Sequence, residues 1–258
     1  LYNPALQIND EDGFVRWVLA DQPEPPRYFA VMKRLNRDGP PARHATASVP
    51  ELGLSALEAS LRAGDWVVDV RGSAAFAKGH LPGTINIPAS RSLVTYAGTV
   101  LSYDRSIVLV AKSAEQAMAV TRQLALIALD RVSGWAPVNV VKELERERKP
   151  LATVRNIDPL SLSDRSATNG PRVIDVRGQS EWNEGHLPIA QHIYLGDLDE
   201  RVSELKRDEP IVVHCRTGTR ASVAASLLLA RGFQDVSTMS GGFVAWRKAG
   251  LPVSKSES

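Results

Sequence analysis

Cysteine is almost missing from this chain of 258 residues: a single one, Cys215, carries a thiol. One thiol excludes an internal disulfide and any metal cluster built on several cysteines, and it fits a reducing compartment, read here as cytoplasmic. Net charge is almost missing too, with 31 Lys and Arg against 29 Asp and Glu for a formal +2. So weak a field does not point to nucleic acid, and leaves small substrates or other proteins as partners. No apolar run approaches the roughly 20 residues that cross a bilayer, so no membrane partner is expected; the stretches around Leu124 to Leu129 and Leu227 to Ala230 are short and read as core helix. No His-x-His or Glu-x-x-His spacing marks a metal site. Leu1 to Asp10 holds no basic stretch followed by an apolar one, so no secretory signal is read there. Lacking an initiator Met, the chain is expected to be an excised portion of something longer.

What is present is repetition. Trp66-Val-Val-Asp-Val-Arg-Gly72 returns as Arg172-Val-Ile-Asp-Val-Arg-Gly178, with Asp69 and Asp175 lying 106 residues apart. Gly79-His-Leu-Pro82 returns as Gly185-His-Leu-Pro188 at the same offset, and Ile107-Val-Leu-Val-Ala111 matches Ile211-Val-Val-His-Cys215 at 104. Three ordered matches at nearly constant spacing mean two copies of one domain rather than a short-period solenoid. The length agrees, because 258 residues is long for one core and comfortable for two of roughly 100 to 150 residues. An apolar share of 43% with 23% charged residues is that of a globular chain, not a disordered or fibrous one.

Each copy runs as a short β-branched apolar segment, a polar loop and a helix-period stretch, the alternation of a mostly parallel sheet covered on both faces. Val67 to Val70, Ile107 to Val110, Val173 to Val176 and Ile211 to Val213 read as buried strands; Gln116 to Leu129 and Ala221 to Ala230 read as helices. A polar stretch around Lys142 to Pro150, where Glu and Arg alternate, is expected to join the copies. The expected domains are therefore 1–48, a helical linker or remnant of an upstream domain; 49–148, the first copy; and 153–258, the second. Within the first segment, helices are expected at Asp12 to Ala20 and Arg27 to Arg37 around the Pro23-Glu-Pro-Pro26 break. Trp17, Tyr28, Phe29, Met32 and Leu35 there need a surface to bury against.

The strongest chemical signal is Cys215-Arg-Thr-Gly-Thr-Arg220, set between a buried strand and a helix. A loop in that place turns backbone N–H groups inward, and the helix adds its positive end. Such a nest holds an anion, so the thiol is expected to be available as thiolate at neutral pH. Arg216 and Arg220 add positive charge, Gly218 permits the tight backbone path, and Thr217 and Thr219 complete the loop. The competing reading of Cys215 is a buried small hydrophobe that ends a strand.

Cys-x-x-Gly-x-Arg after a strand resembles the active-site loop of the rhodaneses, a family of sulfurtransferases. Val173-Ile-Asp-Val-Arg177, Glu184-Gly-His-Leu-Pro188, and Ser240-Gly-Gly-Phe-Val-Ala-Trp246 through Gly250-Leu-Pro252 resemble that family as well, spanning nearly all of Val154 to Val253. The resemblance implies two tandem α/β rhodanese-like domains behind a short helical segment. It also implies that the Cys215 thiolate takes a sulfane sulfur from thiosulfate or a low-molecular-weight persulfide, then yields it to a thiol such as glutathione or to cyanide, with no metal or organic cofactor. Asp175 and Arg177 are expected to support the loop structurally. Four residues separate Cys215 from Arg220, whereas Cys-dependent phosphatases resemble one another in having five; phosphatase or arsenate-reductase chemistry stays open as an alternative.

The first copy departs where it matters. Its aligned run is Ala111-Lys-Ser-Ala-Glu-Gln116, and alanine cannot hold a persulfide, so this copy is expected to be catalytically silent. His80 and His186 sit in matching loops, which favours turn structure over chemistry; His214 should face away from the Cys215 side chain; His44 and His192 stand alone. Finally, Asn3-Pro-Ala-Leu6, Asp21 to Ala30 and Met32-Lys-Arg-Leu-Asn36 look like the stretch that joins a metallo-β-lactamase-fold persulfide dioxygenase domain to rhodanese domains. That implies a setting in sulfide or persulfide metabolism and an upstream dioxygenase domain as partner. It leaves a non-catalytic binding or regulatory module as the competing function.

Overall fold

The computed structural model describes residues 3–20, 22, 24–40, 48–166 and 170–255; His44 lies outside them. Two helices come first, α1 (Glu11–Leu19) and α2 (Tyr28–Asp38). The first copy follows as α3 (Leu54–Ala63), β1 (Trp66–Asp69), α4 (Ser73–Lys78), β2 (Ile85–Asn86), α5 (Leu93–Val100), β3 (Ile107–Ala111), α6 (Ala114–Ala125), β4 (Val132–Pro137) and α7 (Val140–Arg146). The second is β5 (Arg155–Ile157), α8 (Pro159–Ser166), β6 (Arg172–Asp175), α9 (Gln179–Glu184), β7 (Ala190–His192), β8 (Ile211–His214), α10 (Thr219–Ala230), β9 (Val236–Met239) and α11 (Gly242–Lys248). The sheets run β2-β1-β3-β4 and β5-β9-β8-β6-β7, and every strand pairing within them is parallel. No helix among the described residues is long and apolar enough to cross a membrane.

Strands buried on both faces explain the continuous apolar runs in the sequence. Alternation sends Trp66, Val68, Ile107, Leu109, Ile211 and Val213 to one apolar core and Val67, Val108 and Val212 to smaller ones on the opposite faces. The large core is shared by the two copies, and α10 lies within it: Ala221 through Leu228 are all buried. A helix apolar on every side is one covered on every side. Helix α10 packs on β8 and β9 of its own sheet and on β2 and α4 of the other copy. Each of Leu227 and Leu228 thereby contributes about 1.5–3 kcal/mol of burial.

Polar groups fix the seam between the copies. The Asn86 N–H donates to Ser226 Oγ at 2.9 Å, and Ser222 Oγ donates to Asn86 Oδ1 at 2.7 Å. Asn86 Nδ2 donates back into its own copy, to the carbonyls of Asp69 and Arg71 at 3.0 Å each. The N-terminal segment also reaches the second copy: Arg27 donates to Gly196 O and pairs with Glu200, and the Gln179 N–H donates to Glu24. Tyr28 and Met32 do find a surface, packing against the shared core, while Trp17 and Phe29 remain exposed.

Two expectations need correction. The polar stretch from Lys142 to Pro150 is not all linker, because its first half belongs to α7, which buries Val140 and Leu144 on one face of a single turn. The charged residues between them mask that pair in a reading by composition. The helix expected at Gln116 to Leu129 ends at Ala125, where the chain tightens through Leu126 and Ile127 and takes a positive φ at Ala128.

Candidate active site

The second sheet ends its central strands side by side, β6 at Asp175 and β8 at His214, and from there the chain turns to opposite edges. The carboxyl end of a parallel sheet at such a reversal is where ligands gather. Cys215 follows β8 directly. Gly218, with φ +129°, turns the chain into α10 and donates its N–H to Cys215 Sγ at 3.1 Å. From outside, the first turn of α11 holds the same loop: Phe243 N–H donates to Cys215 O at 2.8 Å and Val244 N–H to Arg216 O at 3.1 Å. This approach needs glycine at 242, because a Cβ there would lie 2.3 Å from Cys215 O.

The sulfur lies beneath the surface. Cys215 is 2% exposed and belongs to the shared core, while Arg216 and Thr217 after it are exposed and Gly218 and Thr219 half-buried. Two cavities border this loop. One, of about 390 Å³, is lined by Arg177, Glu181, Arg216, Phe243, Arg247 and Lys248 among others, and is predominantly cationic. The other, of about 350 Å³, is lined by Thr217, Gly218, Thr219, Asn156, Thr238 and Ser240 together with Ser73 and Ala74 of the first copy, and no charged side chain faces it. A larger cavity of about 440 Å³ lies among Pro171, Pro210 and Asp235 and touches no loop residue. It opens at the amino ends of the strands, away from the chemistry.

Arg220, expected to add positive charge to the loop, is paired: both terminal nitrogens of its guanidinium donate to Glu181, the second at 2.8 Å to Oε1. Burial works against the Glu181 charge, but Arg220 outweighs it and holds the carboxyl below its ordinary range. The fork orients Arg220 and keeps it protonated, while Glu181 offsets its charge as seen from the loop. Arg216 makes no ion pair among the described residues. Deeper, Arg177 forks onto Asp175 with contacts of 2.6–3.0 Å and donates to Gly185 O at 2.8 Å, its guanidinium lying 4.1 Å from the Phe243 ring. Burial again opposes, and the neighbouring His214 together with the Arg177 fork prevails, leaving Asp175 below the usual carboxylate range.

The first copy carries the same scaffold without the same loop. Arg71 forks onto Asp69 and donates to Gly79 O at 2.9 Å, matching the second copy contact for contact. A pair that is kept where no thiol exists is a brace. His80 and His186 match likewise, each stacked at 3.6 Å on the ring four residues before it, Phe76 or Trp182, with Nδ1 on that residue's carbonyl. Burial pushes His80 down to about 4, so it stays neutral. In the loop, Ser113 caps α6 and Gln116 Oε1 accepts the Lys112 N–H at 2.8 Å. The first copy thus fills its own nest with side-chain oxygens, whereas α10 has no capping side chain.

The structure places Cys215 through Arg220, Asp175 and Arg177 at one end of the second sheet and adds Glu181, which sequence reasoning did not single out. Its signal was available: the repeat offset places Ala75 opposite it, so the carboxylate appears only where an arginine needs holding. Sequence reasoning missed Asn86, Ser222 and Ser226 as well, since nothing in a linear sequence pairs residues 136 and 140 positions apart.

A family model described as a rhodanese-like domain matches residues 54–144 and 158–249. A sulfurtransferase of Allochromatium vinosum is 35% identical over 101 residues, covering 39% of this chain and 94% of that protein. The thiosulfate sulfurtransferase GlpE of Pseudoalteromonas translucida is 34% identical over 77 residues, covering 30% and 73%. Among solved structures, a metallo-beta-lactamase from Staphylococcus aureus aligns with a TM-score of 0.43 at 28% identity, over 51% of this chain and 36% of that one, so the match spans just over a third of that protein.

Proposed function

This chain belongs to the rhodanese-like family, and on that footing we propose that its second domain is a sulfurtransferase in which Cys215 carries the sulfur. The observation that carries the reading is the position of Cys215 Sγ: at the carboxyl end of β8, on the Gly218 N–H, below a cationic cavity. The donor is thiosulfate or a low-molecular-weight persulfide. Both are anions, and Arg216, Arg247 and Lys248 at the mouth of that cavity raise their local concentration.

In the first half-reaction the Cys215 thiolate attacks the outer sulfur of the donor. A new S–S bond forms, the donor's own S–S bond breaks, and sulfite or a thiolate leaves with the electron pair, so no external oxidant is needed. The Gly218 N–H stabilises the developing negative charge on sulfur, as fixed amide dipoles do at oxyanions. In the second half-reaction a thiolate acceptor, glutathione or a similar thiol, or cyanide attacks the terminal sulfur and regenerates Cys215. Arg220, held by Glu181, keeps the loop closed around the group. The first domain, with Ala111 in the nucleophile's place, is a silent scaffold that contributes one wall of the uncharged cavity through Ser73 and Ala74.

Intact mass after incubation with thiosulfate tests the first half-reaction: a gain of about 32 Da, one sulfur atom, reversed by cyanide, is expected on Cys215. No gain in the parent protein, with the thiol shown to be reduced, ends the proposal.

A second reading, a binding module that serves a metallo-β-lactamase-fold dioxygenase domain, is favoured by one observation, the exposed apolar residues Phe14, Trp17 and Leu19 of α1. It predicts that the chain forms no persulfide of its own yet changes the turnover of such a dioxygenase when mixed with it.

A further inference from the structure

The strand that delivers the nucleophile differs from its silent counterpart at its last two positions. Where β3 ends in Val110-Ala111, the matching run ends in His214-Cys215, while the Asp–Arg fork beside it is unchanged. Alternation sends Cys215 toward α10 and His214 to the other side. There the imidazole is fully buried, with Nδ1 3.4 Å from Cys215 O and Nε2 3.6 Å from Asp175 Oδ2. Nε2 has no hydrogen-bond partner. A buried polar nitrogen left unpaired is a cost that valine at this position would not carry, and the silent copy has valine.

From this geometry we infer that His214 is a positioning residue: it ties the Cys215 carbonyl to the Asp175–Arg177 brace and so fixes the peptide from which the Cys215 sulfur projects toward the Gly218 N–H. The inference rests on the proposed sulfur transfer. Its logic follows from the donor count of imidazole. The neutral ring has one N–H, which goes either to Cys215 O, leaving the Nε2 lone pair facing a carboxylate, or toward Asp175, leaving the Nδ1 lone pair facing a carbonyl. In either form the ring donates to one acceptor at most and turns a lone pair toward the other, so its place between them is set by packing as well as by the one N–H. Burial pushes the imidazole toward the neutral form, Arg177 and Arg220 push the same way, and the Asp175 carboxylate pulls against them. Phe243 N–H donates to the same carbonyl at 2.8 Å, so His214 and α11 both bear on the Cys215 peptide.

Two variants separate positioning from mere filling. His214→Val installs the residue of the silent copy, and His214→Asn keeps a donor where Nδ1 lies. His214→Val is expected to melt no lower than the parent, since it removes an unpaired nitrogen, yet to lower kcat for thiosulfate at least tenfold with KM unchanged, because the cationic cavity is untouched. His214→Asn is expected to recover most of the lost kcat. Alkylation of Cys215 by iodoacetamide reads the same tie with no sulfur donor present and is expected to follow the same order. Equal kcat in His214→Val and parent, or a parallel loss of melting temperature and activity without recovery in His214→Asn, overturns the inference. A parent protein that takes up no sulfur overturns the proposed function instead, and the alkylation series still decides the role of His214.

Discussion

The two domains are a controlled experiment within one chain. Each ends the first strand of its repeated motif in a buried aspartate forked by an arginine two residues on, and each stacks a histidine on the ring four residues before it. What differs around the thiol lies in the turn after β3 or β8, with Glu181 in the place of Ala75 beside it. In the first domain that turn is closed by its own side chains, Ser113 and Gln116; in the second it has no capping side chain and holds a sulfur on one amide. The contrast teaches that the brace and the reactive loop are separable: the Asp–Arg fork serves the fold, and an unfilled turn serves chemistry.

Removing the sulfur should have the largest effect. Cys215→Ala, which makes the second loop resemble the first at that position, is expected to abolish persulfide formation in the mass measurement and to reduce thiosulfate–cyanide turnover to background, with a melting temperature close to the parent's. Breaking the brace should come next and strike both halves. Asp175→Ala leaves the buried Arg177 charge unpaired, a change worth about 3–5 kcal/mol in denaturant titration. Asp69→Ala is expected to cost less, since Arg71 is 12% exposed where Arg177 is 3%. The pH dependence follows with a definite sign. His214 and the Arg177 fork hold Asp175 below its ordinary value of 3.8, so its stabilisation is complete above about pH 4 and is lost as the pH falls through the lower folded value. An acid fall shallower in Asp175→Ala than in the parent is the expected readout, since Glu181 and the other held carboxylates still titrate in both.

The seam gives a smaller effect. Asn86→Ala strands the Ser222 hydroxyl and its own copy's carbonyls, and is expected to cost about 1–3 kcal/mol. It should also lower turnover modestly although residue 86 lies in the silent domain, because Ser222 sits in the first turn of the helix behind the reactive loop. Unchanged activity at reduced stability would show that the second domain keeps its loop without help from the first. The smallest effect is the sharpest comparison. Ala111→Cys in a Cys215→Ala background should yield a protein that alkylates but transfers no sulfur, because Gln116 already occupies the Lys112 amide and no carboxylate stands at Ala75 to hold an arginine. Turnover restored by that single change would erase the distinction drawn between the two loops.

Much of this was legible in one dimension. Four strands, β1, β3, β6 and β8, were read within a residue of their ends, because Val67, Val108 and Val212 on one face and Trp66, Leu109 and Val213 on the other make runs that only a two-sided sheet can bury, while β2, β4, β5, β7 and β9 were not singled out. Cys215 stood out as the proposed nucleophile from its uniqueness and its neighbours. Helix α7 was not, because Val140 and Leu144 are too few apolar residues among charges to declare a buried face. Nor was the state of Arg220: a sequence shows a cation in a loop, not the carboxylate that has folded onto it.

By itself the order of residues determined the duplication, the parallel sheets and which copy carries a thiol, since periodicity and identity are local properties that survive in a string. Only the tertiary structure decided how charged the loop is, how deep the sulfur lies and which side chains of the silent half reach the other. Those depend on contacts between residues far apart in sequence, whose energies exist only once water has been excluded from between them.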